Sequence, residues 1–157
     1  MTGVKLRAKL DQPAFQWVRF LRKRKFTART KFDGGPLDEL KKRLLDIAGF
    51  AVALPGFEDD LENITRRGRL WRGYNAIRKK CKNCRCHANS CYLYIANRRQ
   101  TRICTGYAMS RDGAWRQHSW CVNLASGRPI ETTEKRVLYY GFMMTPEECR
   151  QFCFENE

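Results

Sequence analysis

Trp115-Arg116-Gln117-His118-Ser119-Trp120-Cys121-Val122-Asn123-Leu124 is bounded by Arg111-Asp112-Gly113 before it and Ser126-Gly127 after it. Turn residues at those two places leave a strand-length run between them. The same punctuation makes Thr101–Ser110 the preceding strand and Pro129–Thr133 the following one, with Val137–Met144 as a fourth. Together they predict an antiparallel meander. His118 falls in mid-strand. By two-residue alternation it shares a face with Arg116 and Trp120, while Gln117 and Ser119 point the other way. Glu131 lies on the next strand.

Outward from the meander the pattern turns helical. Cys86-His87-Ala88-Asn89 opens a segment in which Ala88, Cys91, Tyr92 and Ile95 fit one helical stripe. After the meander, Thr145-Pro146-Glu147-Glu148 places a hydroxyl at the N-cap, proline at the first helical position and glutamate three residues on, the signature of a capping box. Upstream, Asp33-Gly34-Gly35-Pro36 is a break, and Leu37 to Phe50 carries apolar residues at helical spacing. Pro55-Gly56 ends the next apolar stretch. Ile64 to Lys80, with Ile64, Leu70, Trp71, Tyr74 and Ile77 among bases, reads as a second helix or a basic loop. The expected class is α+β: a basic, mainly helical region over 1–80, then a region over 81–157 made of a helix, an antiparallel β-meander and a C-terminal helix.

With 157 residues, 43% hydrophobic and 12% aromatic, the chain has enough apolar material for a core. It has no stretch of about 18 apolar residues that would span a membrane, and no signal-peptide pattern at its N-terminus. A cytoplasmic location is expected. The net charge of +15 is unevenly spread. Residues 4–32 are a basic arm punctuated by Phe15, Trp17, Phe20 and Phe26, residues 33–62 are acidic, and residues 63–111 contain no acid. Such a surplus predicts a polyanionic partner: RNA, DNA, a ribonucleoprotein or an acidic protein. Arg66, Arg67, Arg69, Arg72, Lys79 and Lys80 are the candidate nucleic-acid contacts, with Trp17, Phe20, Trp71 and Tyr74 placed to stack. The sequence gives no oligomeric state.

The chemistry-bearing residues come in the order Cys86, His118, Glu131. A cysteine at a helix N-terminus sits at the positive end of the backbone dipole, which favours its thiolate, and Lys82 and Arg85 add to that field. A strand that follows can present His118 to it as base. Glu131 on the paired strand would fix the imidazole tautomer. Asn89 or Gln117 is the candidate oxyanion donor. His87 is the alternative partner for Cys86. This order resembles papain-like enzymes, including the NlpC/P60 and transglutaminase-like branches. More narrowly, Cys86-His87-Ala88-Asn89, the run from Gly106 through Tyr107, Ser110, Asp112-Gly113 and Trp115 to Trp120, and Glu131-Thr132-Thr133 resemble a pattern of small uncharacterised bacterial and phage proteins. The resemblance covers residues 81–144. A papain-like C-terminal half is expected from it, and the Cys86, His118 and Glu131 order predicts thiol chemistry on an amide or ester bond, by hydrolysis, deamidation or acyl transfer, with no cofactor required.

A competing expectation is structural zinc. Cys81-x2-Cys84 is half of a tetrahedral site, and Cys149-x3-Cys153, at i and i+4 on the last helix, supplies the other half; Cys86 and Cys91 are further candidate ligands. The corresponding function is a non-enzymatic, zinc-stabilised RNA- or DNA-binding protein.

Overall fold

The computed structural model describes residues 34–54 and 58–156. The expectations for the basic arm at 4–32 and for the Pro55-Gly56 break therefore lie outside the described residues. In chain order the elements are α1 (Pro36–Ile47), β1 (Ala51–Ala53), α2 (Leu61–Arg67), β2 (Arg69–Arg72), a short 3-10 turn (Gly73–Asn75), β3 (Ile77–Arg78), α3 (Cys86–Ala96), β4 (Thr101–Met109), β5 (Ala114–Asn123), β6 (Pro129–Glu131), β7 (Leu138–Met143) and α4 (Pro146–Glu155). The protein is a mixed helix-and-sheet fold with a mainly antiparallel sheet. No described helix is long and apolar enough to cross a membrane.

The strands lie in the order β2-β7-β4-β5-β6-β3, with β1 added to β5 off that path. β4, β5 and β6 form the expected meander. The fourth strand does not continue it: β7 returns to pair with β4 on its other side. Two glycines make that possible. Gly106 and Gly141 are register partners, and a Cβ on Gly106 would come within 2.4 Å of the Tyr140 carbonyl oxygen. Gly106 also has a φ of 150°, a region side chains disfavour. On its other flank it pairs with His118.

Residues 64–80 correct the reading of a helix or basic loop. The helix stops at Arg67, and beyond it Leu70 and Trp71 belong to β2, Tyr74 to the 3-10 turn and Ile77 to β3. These two and β1 join the same sheet as the strands after residue 81, β2 antiparallel to β7 and β1 and β3 parallel to β5 and β6.

The sheet buries both faces. On one, Trp115, Cys121, Tyr107 and Ile103 pack with Leu40 and Leu44 of α1, Leu93 and Tyr94 of α3, and Cys149 and Cys153 of α4. On the other, Trp120 and Val122 meet Cys104, Ala108, Tyr139 and Trp71. The α3 stripe is rotated from the expected one. Tyr92 and Ile95 are exposed, whereas Asn89, Ser90, Leu93 and Tyr94 are buried with Cys91. Small polar residues at 89 and 90 bring the helix close to the sheet, where the Ser90 carbonyl accepts from the Cys121 thiol at 3.4 Å. The capping box of α4 forms as read, with Thr145 and Glu148 bonding each other's backbone N–H.

Candidate active site

One edge of β5 is covered in two pieces. β1 pairs with Ala114–Arg116 and β6 with Cys121–Val122. Among the described residues no strand pairs with that edge at 117–120. The N-terminus of α3 fills the gap. The Cys86 sulfur accepts from the backbone N–H of Ser119, on this free edge, and from that of His87 in its own first helical turn. It also shares a hydrogen bond with the His118 side chain. The break in the ladder leaves unpaired backbone donors, and the sulfur uses one of them.

His118 is 1% exposed. Its Nε2 lies 3.0 Å from Glu131 Oε2, which leaves Nδ1 for Cys86. Trp120 stacks beside the ring, with centroids 6.3 Å apart and planes 13° off parallel, and Tyr139 closes another side. Glu131 is wholly buried at the end of β6. Its Oε2 also accepts from the Tyr139 hydroxyl at 2.8 Å, while Oε1 accepts from the Thr133 N–H at 2.8 Å and hydroxyl at 2.9 Å. The structure thus brings Cys86, His118 and Glu131 into one hydrogen-bonded chain.

The electrostatics follow from these contacts. Burial alone would raise the Cys86 pKa. The His118 hydrogen bond and charge, with the Ser119 and His87 N–H groups, outweigh it and hold the thiol below its ordinary value. Burial would lower His118, and its bonds to Cys86 and Glu131 instead raise it. Glu131 is lowered to about 2, because the His118 bond and charge and the Thr133 and Tyr139 donors overcome its burial. The causes that lower Cys86 are thus a neighbouring ring and two backbone N–H groups, where the sequence pointed to Lys82 and Arg85.

Other candidates are placed differently. Asn89 Nδ2 donates to the Lys82 carbonyl at 2.7 Å and meets Thr132 Oγ1 at 3.4 Å. It therefore ties the loop before α3 to the loop after β6, and its amide is committed there. Gln117 points to the sheet face opposite His118, where its amide reaches the buried Glu58 carboxylate at 3.3 Å; Tyr107 also donates to Glu58, at 2.6 Å. His87 faces that side too, with Nδ1 3.3 Å from Ser119 Oγ and its ring against Phe152. Burial and the nearby His118 charge lower its pKa.

The metal expectation is not met by the geometry. Cys149 and Cys153 are 0% and 5% exposed in the core, with Cys153 hydrogen-bonded to Cys91, while Cys84 is exposed and Cys81 half-buried on the loop before α3. Among the described residues no group of three or more His, Cys, Asp or Glu side chains is arranged to hold a metal. Burial took the α4 thiols because i and i+4 is also the spacing of a core-facing stripe.

Of the arginines proposed for nucleic acid, Arg67 is committed to Glu148 by two bonds of 2.6 and 2.9 Å and to the Met143 carbonyl at 2.8 Å. Arg66 pairs with Glu62 at 2.8 Å, and Arg69 lies over the Trp71 ring at 4.6 Å. Arg72 is half-buried on β2, and Lys79 and Lys80 are exposed.

Thr133 and Tyr139 were not singled out as functional. Thr133 had a signal, a hydroxyl two residues beyond the acid. Tyr139 had none, because β7 lands beside β4 only through the tertiary pairing. The chain matches no protein-family model, no curated protein and no solved structure.

Proposed function

We propose that the protein is a papain-like thiol enzyme that cleaves or transfers an acyl group from an amide or ester. The observation that carries this reading is the hydrogen-bonded chain from Cys86 through His118 to Glu131, with the thiol lowered and the imidazole raised. Shifts in these directions favour the charged form of each group, the thiolate of Cys86 and the imidazolium of His118. In the reaction, the Cys86 thiolate attacks the carbonyl carbon. The N-terminus of α3, where Cys86 sits, favours the developing oxyanion through its dipole. The tetrahedral intermediate collapses as the leaving amine or alcohol takes the His118 proton. Water, or another nucleophile, then gives its proton to His118 and attacks the thioester, which releases the acyl group and restores the thiolate. Glu131 stays ionised, holding the ring with Nδ1 toward sulfur.

Site-mapped alkylation with iodoacetamide near neutral pH tests the nucleophile. Cys86 is expected to react fastest of the eight cysteines, Cys86→Ala to remove that labelling, and His118→Ala to slow it by tenfold or more. An activated ester such as p-nitrophenyl acetate should leave its acetyl group on Cys86. Uniform labelling, or Cys86 among the slowest, overturns the reading.

A further inference from the structure

The segment that delivers the chain into α3 carries Lys79, Lys80, Lys82 and Arg85, all exposed. Among the described residues none of the four forms an ion pair. Their chain neighbourhood supplies no counter-charge either, since residues 63–111 contain no acid. Glu131, whose carbonyl accepts from the Lys79 N–H, has its carboxylate buried and committed to His118, Tyr139 and Thr133.

This segment is also fastened to the site. The Lys79 N–H donates to the Glu131 carbonyl at 2.9 Å and the Cys81 N–H to the Thr132 carbonyl at 3.0 Å. Arg78 reaches the Thr133 carbonyl at 3.0 Å, and Asn89 holds the Lys82 carbonyl at 2.7 Å. Cys84, with a φ of 57°, then turns the chain into the helix. Arg85 is the N-cap residue, adjacent in sequence to the nucleophile. The Glu131, Thr132 and Thr133 carbonyls, next to the buried carboxylate, therefore fasten the segment that carries the four cations and leads into the helix of Cys86.

We infer that the acyl substrate is anionic, with a carboxylate or phosphate close to the scissile bond that is received by Lys79, Lys80, Lys82 and Arg85. This inference rests on the thiol-enzyme reading and adds the substrate's charge to it. A one-signed rim raises the local concentration of an oppositely charged substrate and orients it before any contact with sulfur. Four like charges act together on one approaching anion over about a Debye length, roughly 10 Å at 0.1 M salt, and added salt weakens them because they are exposed.

Cys86 can report that field directly. The full chain is alkylated with iodoacetate, an anion, and with iodoacetamide, its neutral counterpart, and the ratio of the two rates is followed. Both proteins compared retain His118, so the ratio isolates the rim. Replacing the four cations by Gln is expected to lower the ratio roughly three- to tenfold, with the iodoacetamide rate changed by less than about twofold. Raising the salt concentration should lower the wild-type ratio in the same direction, and this measurement needs no variant. Competition of iodoacetate labelling by inorganic phosphate or by glutarate tells which anion the rim receives.

Preferential iodoacetamide labelling of Cys86 with a ratio unmoved by salt and by the four substitutions overturns the anionic-substrate inference and leaves the nucleophile standing. Loss of preferential labelling by iodoacetamide itself overturns both. A short RNA that shields Cys86 equally from the two reagents assigns the rim to a nucleic acid and also overturns the inference.

Discussion

Both oxygens of the Glu131 carboxylate are engaged, Oε2 by His118 and Tyr139 and Oε1 by Thr133, on a side chain that is fully buried. Its lowered pKa is therefore a statement about stability as well as chemistry. An unfolded glutamate titrates near about 4.3, and in the fold Glu131 is at about 2. The stabilisation linked to it is present above the unfolded value and is lost as pH falls from there through the folded one. Glu131→Gln should accordingly flatten the acid limb of the stability curve in that window, as measured by urea unfolding at a series of pH values. The same variant removes the charge that helps to raise the His118 pKa. Cys86 alkylation should then need a higher pH, with its half-maximal point displaced upward by about one unit or more. Tyr139→Phe leaves the ion in place and should move that point less.

Among the elements, β4 is held on both flanks, because Gly106 meets β5 at His118 on one side and β7 at Gly141 on the other. Gly106→Ala would force a Cβ against the Tyr140 carbonyl and Gly141 Cα, at 2.4 and 2.5 Å, on a residue whose φ disfavours any side chain. A loss of about 2 kcal/mol or more is expected in denaturant unfolding, with slower Cys86 alkylation because the shift reaches His118. The long strands were legible in the sequence. β4 and β5 run for 9 and 10 residues between clear turn signals, and the capping box marked the start of α4. β1, β2 and β3 were not, for they hold 3, 4 and 2 residues, too few to display a period of two. The three members of the candidate site were legible by order and residue type, and the fold brings them together. The fates of Asn89 and Gln117 were not, since each depends on a partner, Lys82 or Glu58, that only the fold supplies.

Across the whole molecule, Arg67 and Arg66 show how little sequence says about which charges are free. Arg67 links α2 to α4 through Glu148, reaches the Met143 carbonyl and lies over the Phe142 ring at 4.7 Å. Arg66 makes one exposed i,i+4 pair with Glu62. Arg67→Ala should destabilise the protein by about 1–2 kcal/mol, a figure reduced for partial exposure, whereas Arg66→Ala should stay within about 0.5 kcal/mol. Thermal unfolding of the two variants at one ionic strength checks the contrast.

The interrupted edge of β5 has a consequence for how the chain reaches its working state. The opening exists only once β1, at residues 51–53, and β6, at residues 129–131, have both docked on β5, and it is filled by a helix that begins at residue 86. Segments far apart along the chain must converge before the sulfur meets the imidazole. Long-range convergence of this kind forms slowly and late. On the proposed function, a nascent or partly folded chain holds an ordinary thiol, and reactivity that emerges only with the completed fold makes the chemistry a marker of the finished molecule.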